Sequence, residues 1–130
     1  MRFMYIVTSE RPAAPTPALM EAMGKLADRE IKAGRMIDSG GLMPLATGAQ
    51  VRIRDGELSV VDGPFVEAKE VIGGYAIFEL RNKEEALASA VEFMQLHKQH
   101  MPGWEGTCEL RAFATPEHEV GCQVDAPAHA

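Results

Sequence analysis

The sequence predicts an α+β domain, a single antiparallel-rich sheet with two helices on one face. Three observations predict it. Two stretches carry apolar residues at helical spacing between capping signals, several shorter apolar runs have the period of strands, and an Asp-Gly pair joins two of those runs. At 130 residues and 46% hydrophobic content, the chain is long enough to bury one sizeable core.

The opening Met1-Arg2-Phe3-Met4-Tyr5-Ile6-Val7 reads as a first strand, being too short and lacking the cleavage site for a signal peptide. Thr16-Pro17 then starts a helix, with threonine as cap and proline at the first helical position, where its missing N–H costs nothing. Leu19, Met20, Met23, Leu26, Ala27 and Ile31 supply its expected buried stripe, and Gly34 its stop. Asp28, Arg29, Glu30 and Lys32 read as its solvated face. Residues 36–44 form a second strand, kinked by Gly40-Gly41 and stopped by Pro44.

Val51 to Arg54 and Glu57 to Val61 flank Asp55-Gly56, the signal for a hairpin with a type I′ turn. Ile72 to Leu80 is a long strand, apolar on both faces, with Tyr75 and Ile77 alternating against Ala76 and Phe78. The second helix opens at Asn82, with Glu85 placed as its capping-box partner. Its expected buried stripe is Ala86, Leu87, Ala90, Val91 and Met94, and Pro102 bounds it. Cys108 to Phe113 gives a last strand.

This order is ferredoxin-like with an extra hairpin. With helices on one face only, the second apolar face of the sheet calls for a partner, most simply a second copy of the chain in a homodimer. Residues 115–130 form a weakly patterned tail, expected to be disordered or to contact the second copy.

Charge and cysteine use narrow the function. Thirteen basic against nineteen acidic residues give a net charge of −6, which offers no electrostatic footprint for nucleic acid or anionic membrane. No run reaches the roughly 20 apolar residues of a membrane span. Cys108 and Cys122 lack motif spacing, which suits free thiols in a reducing cytoplasm.

The most informative stretch is Asp62 to Tyr75, which sets a turn, an aromatic and four ionisable groups between two apolar strands. With its Asp62-Gly63-Pro64-Phe65, Lys69-Glu70 and Gly73-Gly74-Tyr75, and with Glu109-x-Arg111 in the last strand, the chain resembles the YCII-related, or DGPF-domain, family over about residues 1–114. Ala33-Gly34 and Ser39-Gly40-Gly41-Leu42-x-Pro44 fit the same pattern. The resemblance implies a dimeric α+β barrel in which two sheets enclose a cleft. It also implies kinship with cofactor-independent isomerases and monooxygenases, with haem binders, and with proteins linked to extracytoplasmic-function sigma factors. Some members carry a first-helix histidine paired with an aspartate, but residues 16–34 here hold no histidine. Asp38 falls in the neighbourhood of the acidic partner, and half a dyad supports no mechanism.

Each candidate residue has two readings. Asp62, Gly63 and Pro64 have ordinary turn chemistry; alternatively the turn holds the Asp62 carboxylate at the cleft mouth as a base or ligand anchor. Glu67, Lys69 and Glu70 are a solvated ion-pair group or a site in which Lys69 neutralises an anionic ligand. Gly73-Gly74 marks a bulge or close backbone approach, and with no helix following it is no phosphate loop.

His97 and His100, spaced i, i+3 ahead of Pro102-Gly103-Trp104-Glu105-Gly106, either complement the helix dipole or, with Glu105 nearby, bind a transition metal or relay protons in a pocket walled by Trp104. Some DGPF-like sequences share this arrangement. Met20, Met23, Met36, Met43, Met94 and Met101 read mostly as core. The expected catalytic set is Asp62, His97 and His100, and the ligand-binding set is Glu67, Lys69, Glu70, Tyr75 and Trp104. No cofactor and no metal are assigned. The leading expectation is a small-molecule binding or regulatory module linked to sigma-factor signalling. General acid–base catalysis in the dimer cleft and purely structural assembly are its rivals.

Overall fold

The computed structural model describes residues 1–11, 13–62 and 71–115. Chain order is β1 (Arg2–Ser9), α1 (Pro17–Lys32), β2 (Met36–Gly41), a short 3-10 turn (Leu45–Thr47), β3 (Gln50–Arg54), β4 (Glu57–Val61), β5 (Val71–Glu79), α2 (Lys83–His100) and β6 (Gly106–Ala112). Four strands form an antiparallel sheet in the order β2-β5-β1-β6. Each helix crosses between strands separated by one other, which is the ferredoxin-like α+β arrangement expected.

The helix boundaries follow from local chemistry. Thr16 caps α1 by accepting from the Leu19 N–H, and Asn82 caps α2 by accepting from the Glu85 N–H. Glu85 departs from the capping-box expectation, since its carboxylate takes the N–H of Arg81 rather than that of Asn82. At the far end of α1, Gly34 adopts a φ of 76°. Its N–H reaches the Ile31 carbonyl while the Arg35 N–H reaches that of Glu30, the paired bonds of a Schellman motif.

The core lies between sheet and helices. Phe3 and Tyr5 of β1, Phe78 and Leu80 at the end of β5, and Ala86 and Ala90 of α2 form one buried cluster, with Met36, Ala76, Cys108 and Leu110 against it. Tyr5 and Phe78 stack with ring centroids 4.7 Å apart. The small residues of α2 let the helix approach those rings, and the buried Tyr5 hydroxyl donates to the Ala86 carbonyl at 2.9 Å.

Several expectations need correction. Met20 and Ile31 of α1 and Leu87 and Val91 of α2 are half or more exposed, so each buried stripe is narrower than the apolar pattern. The face of α1 turned inward instead includes Glu30, read from the sequence as solvated but only 4% exposed. The hairpin has its type I′ turn, with positive φ at both Asp55 and Gly56, yet β3 and β4 form a separate two-stranded sheet. Its register sets Val51 opposite Val60 and Ile53 opposite Leu58 on one face, and all four side chains are exposed.

The glycines of β2 and β5 act within the chain. Gly73 is the extra residue of a bulge opposite Val7 and Thr8, and a Cβ on Gly74 would come within 2.7 Å of the Gly40 carbonyl oxygen. Expected as the kink of β2, Gly40-Gly41 instead lets β5 approach closely. The irregularity of β2 falls at Ile37, between Met36 and Asp38.

Candidate functional site

Alternation along the strands assigns Phe3, Tyr5, Ala76 and Phe78 to the helix side of the sheet, and Met4, Ile6, Tyr75 and Ile77 to the other. Both helices lie on the first side, so neither covers the second. Across that open face the register aligns Asp38, Ile77, Met4 and Arg111 in one row, and Gly40, Tyr75, Ile6 and Glu109 in the next. Apolar residues fill the middle, and charged groups stand at the two edge strands.

The irregularity at Ile37 matters here. Met36 enters the core opposite Phe78, and the inserted residue turns Asp38 onto the open face beside Ile77. There the Tyr75 hydroxyl donates to Asp38 Oδ2 at 3.0 Å, while Asp38 Oδ1 accepts from the Ser39 N–H at 2.8 Å. Gly40 gives the Tyr75 ring its place, since a Cβ there would meet Tyr75 Cε1 at 3.1 Å. The hydrogen bond to Asp38 and its negative charge hold the Tyr75 phenol above its ordinary pKa, so it stays protonated at neutral pH. The pair presents an anionic carboxylate and a phenol oxygen with acceptor capacity left over. At the other edge Arg111 pairs with Glu109 at 2.8 Å.

The other expected site residues fall elsewhere. His97 is buried under α2, on the helix side, so no single chain brings it together with Tyr75. Its Nδ1 lies 3.2 Å from the Phe93 carbonyl oxygen, and its ring sits between Phe93 and Trp104, at centroid distances of 4.7 and 4.8 Å. Burial lowers its pKa, which keeps the imidazole neutral at pH 7. The Trp104 ring lies over Gly106, where any side chain would collide with it. An open cavity of about 420 Å³ is lined there by His97, Lys98, Met101, Trp104 and Glu105.

His100 does not join His97 in that wall through a hydrogen bond. Its carbonyl accepts from the Thr16 hydroxyl at 2.8 Å, tying the end of α2 to the start of α1. Asp62 is exposed just beyond β4, and no hydrogen bond or ion pair among the described residues joins it to either histidine. Glu67, Lys69 and Glu70 lie outside the described residues. Among the described residues no three His, Cys, Asp or Glu side chains converge as a metal site would require.

Sequence reasoning singled out Tyr75 but missed its partnership with Asp38. The useful signals were a tyrosine and an aspartate on flanking strands, each near a glycine pair. Their register, however, depends on an insertion that periodicity does not reveal. No helix among the described residues is long and apolar enough to cross a membrane.

Comparison with known proteins agrees with this architecture. The family model of the YCII-related domain matches residues 1–93. An uncharacterized protein of Rhizobium meliloti (strain 1021) is 30% identical over 81 residues, which cover 62% of this chain. The match spans 65% of that relative, just under two thirds of its length.

Proposed function

The chain belongs to the YCII-related domain family, and from that premise we propose that it is a small-molecule binding module working as a cytoplasmic homodimer. Two open sheet faces enclose the ligand, which is held over the Tyr75–Asp38 pair. The observation that carries this reading is the hydrogen-bonded phenol and carboxylate on an otherwise half-apolar face that neither helix covers. Met4, Ile6 and Ile77 supply apolar contact, and Asp38 favours a ligand that offers an N–H or O–H donor or a cationic group. The free Cys108 thiol suits a reducing compartment. A regulatory link to a sigma factor is supported by the family resemblance described above.

Binding is favoured over catalysis by the bonding of the pair: Asp38 already accepts through both oxygens, and the Tyr75 hydroxyl proton is held by Asp38. Native mass spectrometry of freshly purified protein tests the reading. A dimer retaining a small-molecule adduct is expected, with the dimer kept and the adduct lost in Tyr75→Phe and Asp38→Asn. A monomer, or an adduct indifferent to both changes, refutes it. Turnover of the captured compound that disappears in Asp62→Asn or His97→Ala would establish the enzyme reading instead.

A further inference from the structure

His97 is a buried titratable group that the open sheet face leaves unused. Its Nδ1 lies 3.2 Å from the Phe93 carbonyl oxygen, which only accepts, so the neutral ring carries its proton on Nδ1. The lone pair is left on Nε2. No hydrogen bond among the described residues reaches Nε2, yet it is not a sealed orphan. It therefore opens into the cavity of about 420 Å³ that the ring lines. An imidazole whose other nitrogen is fixed by a backbone carbonyl is the usual form of a metal-ligating histidine.

The nearest side chains around that cavity are soft donors. Met94 and Met101 stand one helical turn before and after His97, and all three line the cavity. Met101 is buried, and its N–H donates to the His97 carbonyl at 2.8 Å. The chain then turns through Gly103, at a φ of 84°, and the Trp104 N–H reaches the Met101 carbonyl at 3.0 Å. That turn lays the indole beside the imidazole, with ring centroids 4.8 Å apart.

We propose that this cavity is a Cu(I) site, with the Met94 and Met101 thioethers and His97 Nε2 as ligands and the Trp104 ring beside the ion. Three observations select this ion. Thioether sulfur is a soft, uncharged donor, which favours Cu(I) over zinc and harder cations. The described residues hold no cluster of three His, Cys, Asp or Glu, the set a divalent ion would use. Lys98 and Glu105, both exposed, line the cavity with opposite charges. Nothing there offsets a double charge, whereas a single one costs less to take out of water. An indole face adds cation–π attraction. The site lies on the helix side of the sheet and is independent of the ligand proposed for the open face.

The test uses the full-length Cys108→Ser, Cys122→Ser protein. Cys108 and Met94 share the adjoining groove, and thiolates bind Cu(I) by themselves. Cu(I) is added without oxygen as its acetonitrile complex while Trp104 emission is followed. One ion per chain is expected, with the emission quenched and X-ray absorption reading sulfur and nitrogen neighbours. Met94→Leu and Met101→Leu nearly conserve volume and so keep the fold. Each is expected to weaken Cu(I) binding at least ~10-fold, with little change in the urea midpoint of the metal-free protein. Met20→Leu, on α1, should bind as the parent does. The proposal is overturned if the cysteine-free protein binds no Cu(I), which would assign any binding in the parent to its thiols. It is also overturned if both leucine variants at 94 and 101 bind like the parent, or if the bound copper has no sulfur neighbour.

Discussion

Arg35 holds the buried Glu30 carboxylate by two hydrogen bonds, Nε to Oε1 at 2.9 Å and Nη2 to Oε2 at 2.6 Å, from just beyond the end of α1. The Schellman motif makes the grip possible, because the left-handed turn at Gly34 reverses the chain and returns Arg35 beside Glu30. Arg29 adds a third contact and bridges to Glu92 of α2, so one buried carboxylate joins the helix pair to the entry of β2. Hydrogen bonds from Arg35, then Arg29, keep its pKa below the ordinary carboxylate value.

Acid should release this clamp. A carboxylate with a depressed folded pKa contributes stability that is present above its unfolded value, about 4.3, and lost as pH falls through the folded value. Urea unfolding followed from pH 7 to pH 3 should show stability falling below about pH 4.5. Glu30→Gln should flatten that decline. Glu30→Ala should lower stability at pH 7 by about 2 kcal/mol, since it leaves Arg35 and Arg29 without their shared acceptor. A variant as stable and as acid-sensitive as the parent would show the clamp to be inert.

Gly34→Ala should cost about 1 kcal/mol, because its φ of 76° is strained for any residue with a Cβ. No atom lies within 4 Å of the Cβ it would gain, so the loss is conformational rather than steric. Gly24→Ala, in the middle of α1 and equally free of neighbours, should instead stabilise the protein. Opposite shifts in the urea midpoints of these two variants check the assignment.

The Tyr75 phenol should titrate above an ordinary tyrosine, and Asp38→Asn should bring it back toward 10. NMR of ring-labelled tyrosine resolves it from Tyr5, whose pKa is raised chiefly by burial and should not follow the Asp38 change. A Tyr75 signal unmoved in Asp38→Asn would break the pair on which the binding proposal stands.

Trp104, the one tryptophan, reports on His97 through their ring contact. Burial disfavours the charged imidazole, so the pH dependence of Trp104 fluorescence should have its midpoint below the ordinary histidine value of about 6.5. The unfolded chain binds that proton more readily, so stability falls as pH drops from about 6.5 toward the folded pKa. His97→Gln should abolish the fluorescence step. A midpoint at or above 6.5 would place the ring in water.

Local chemistry was legible because its causes sit within a few residues. Thr16 and Asn82 announce helix starts through the N–H groups they hold three residues away, Pro17 does so through its fixed φ, and Asp55-Gly56 specifies its turn by its own dihedral preferences. Gly34 is readable as a stop for the same reason. The apolar stripes were over-read, because hydrophobic spacing says that Leu87 and Val91 tend to be covered and does not say by what. The hairpin shows the same gap: its strands and register were plain, while its separation from the main sheet depends on contacts distant in the chain.

By itself, then, the amino-acid order determined the element types, their order, the helix caps, the hairpin turn and kinship with the YCII-related family. Only the tertiary structure decided that Glu30 is buried, that Asp38 meets Tyr75, and that His97 and Tyr75 occupy opposite sides of the sheet. The physical reason is the two-residue period of a strand. A single inserted residue, such as Ile37 in β2, changes which side chains face the core, and whether an insertion is tolerated is settled by packing across neighbouring strands.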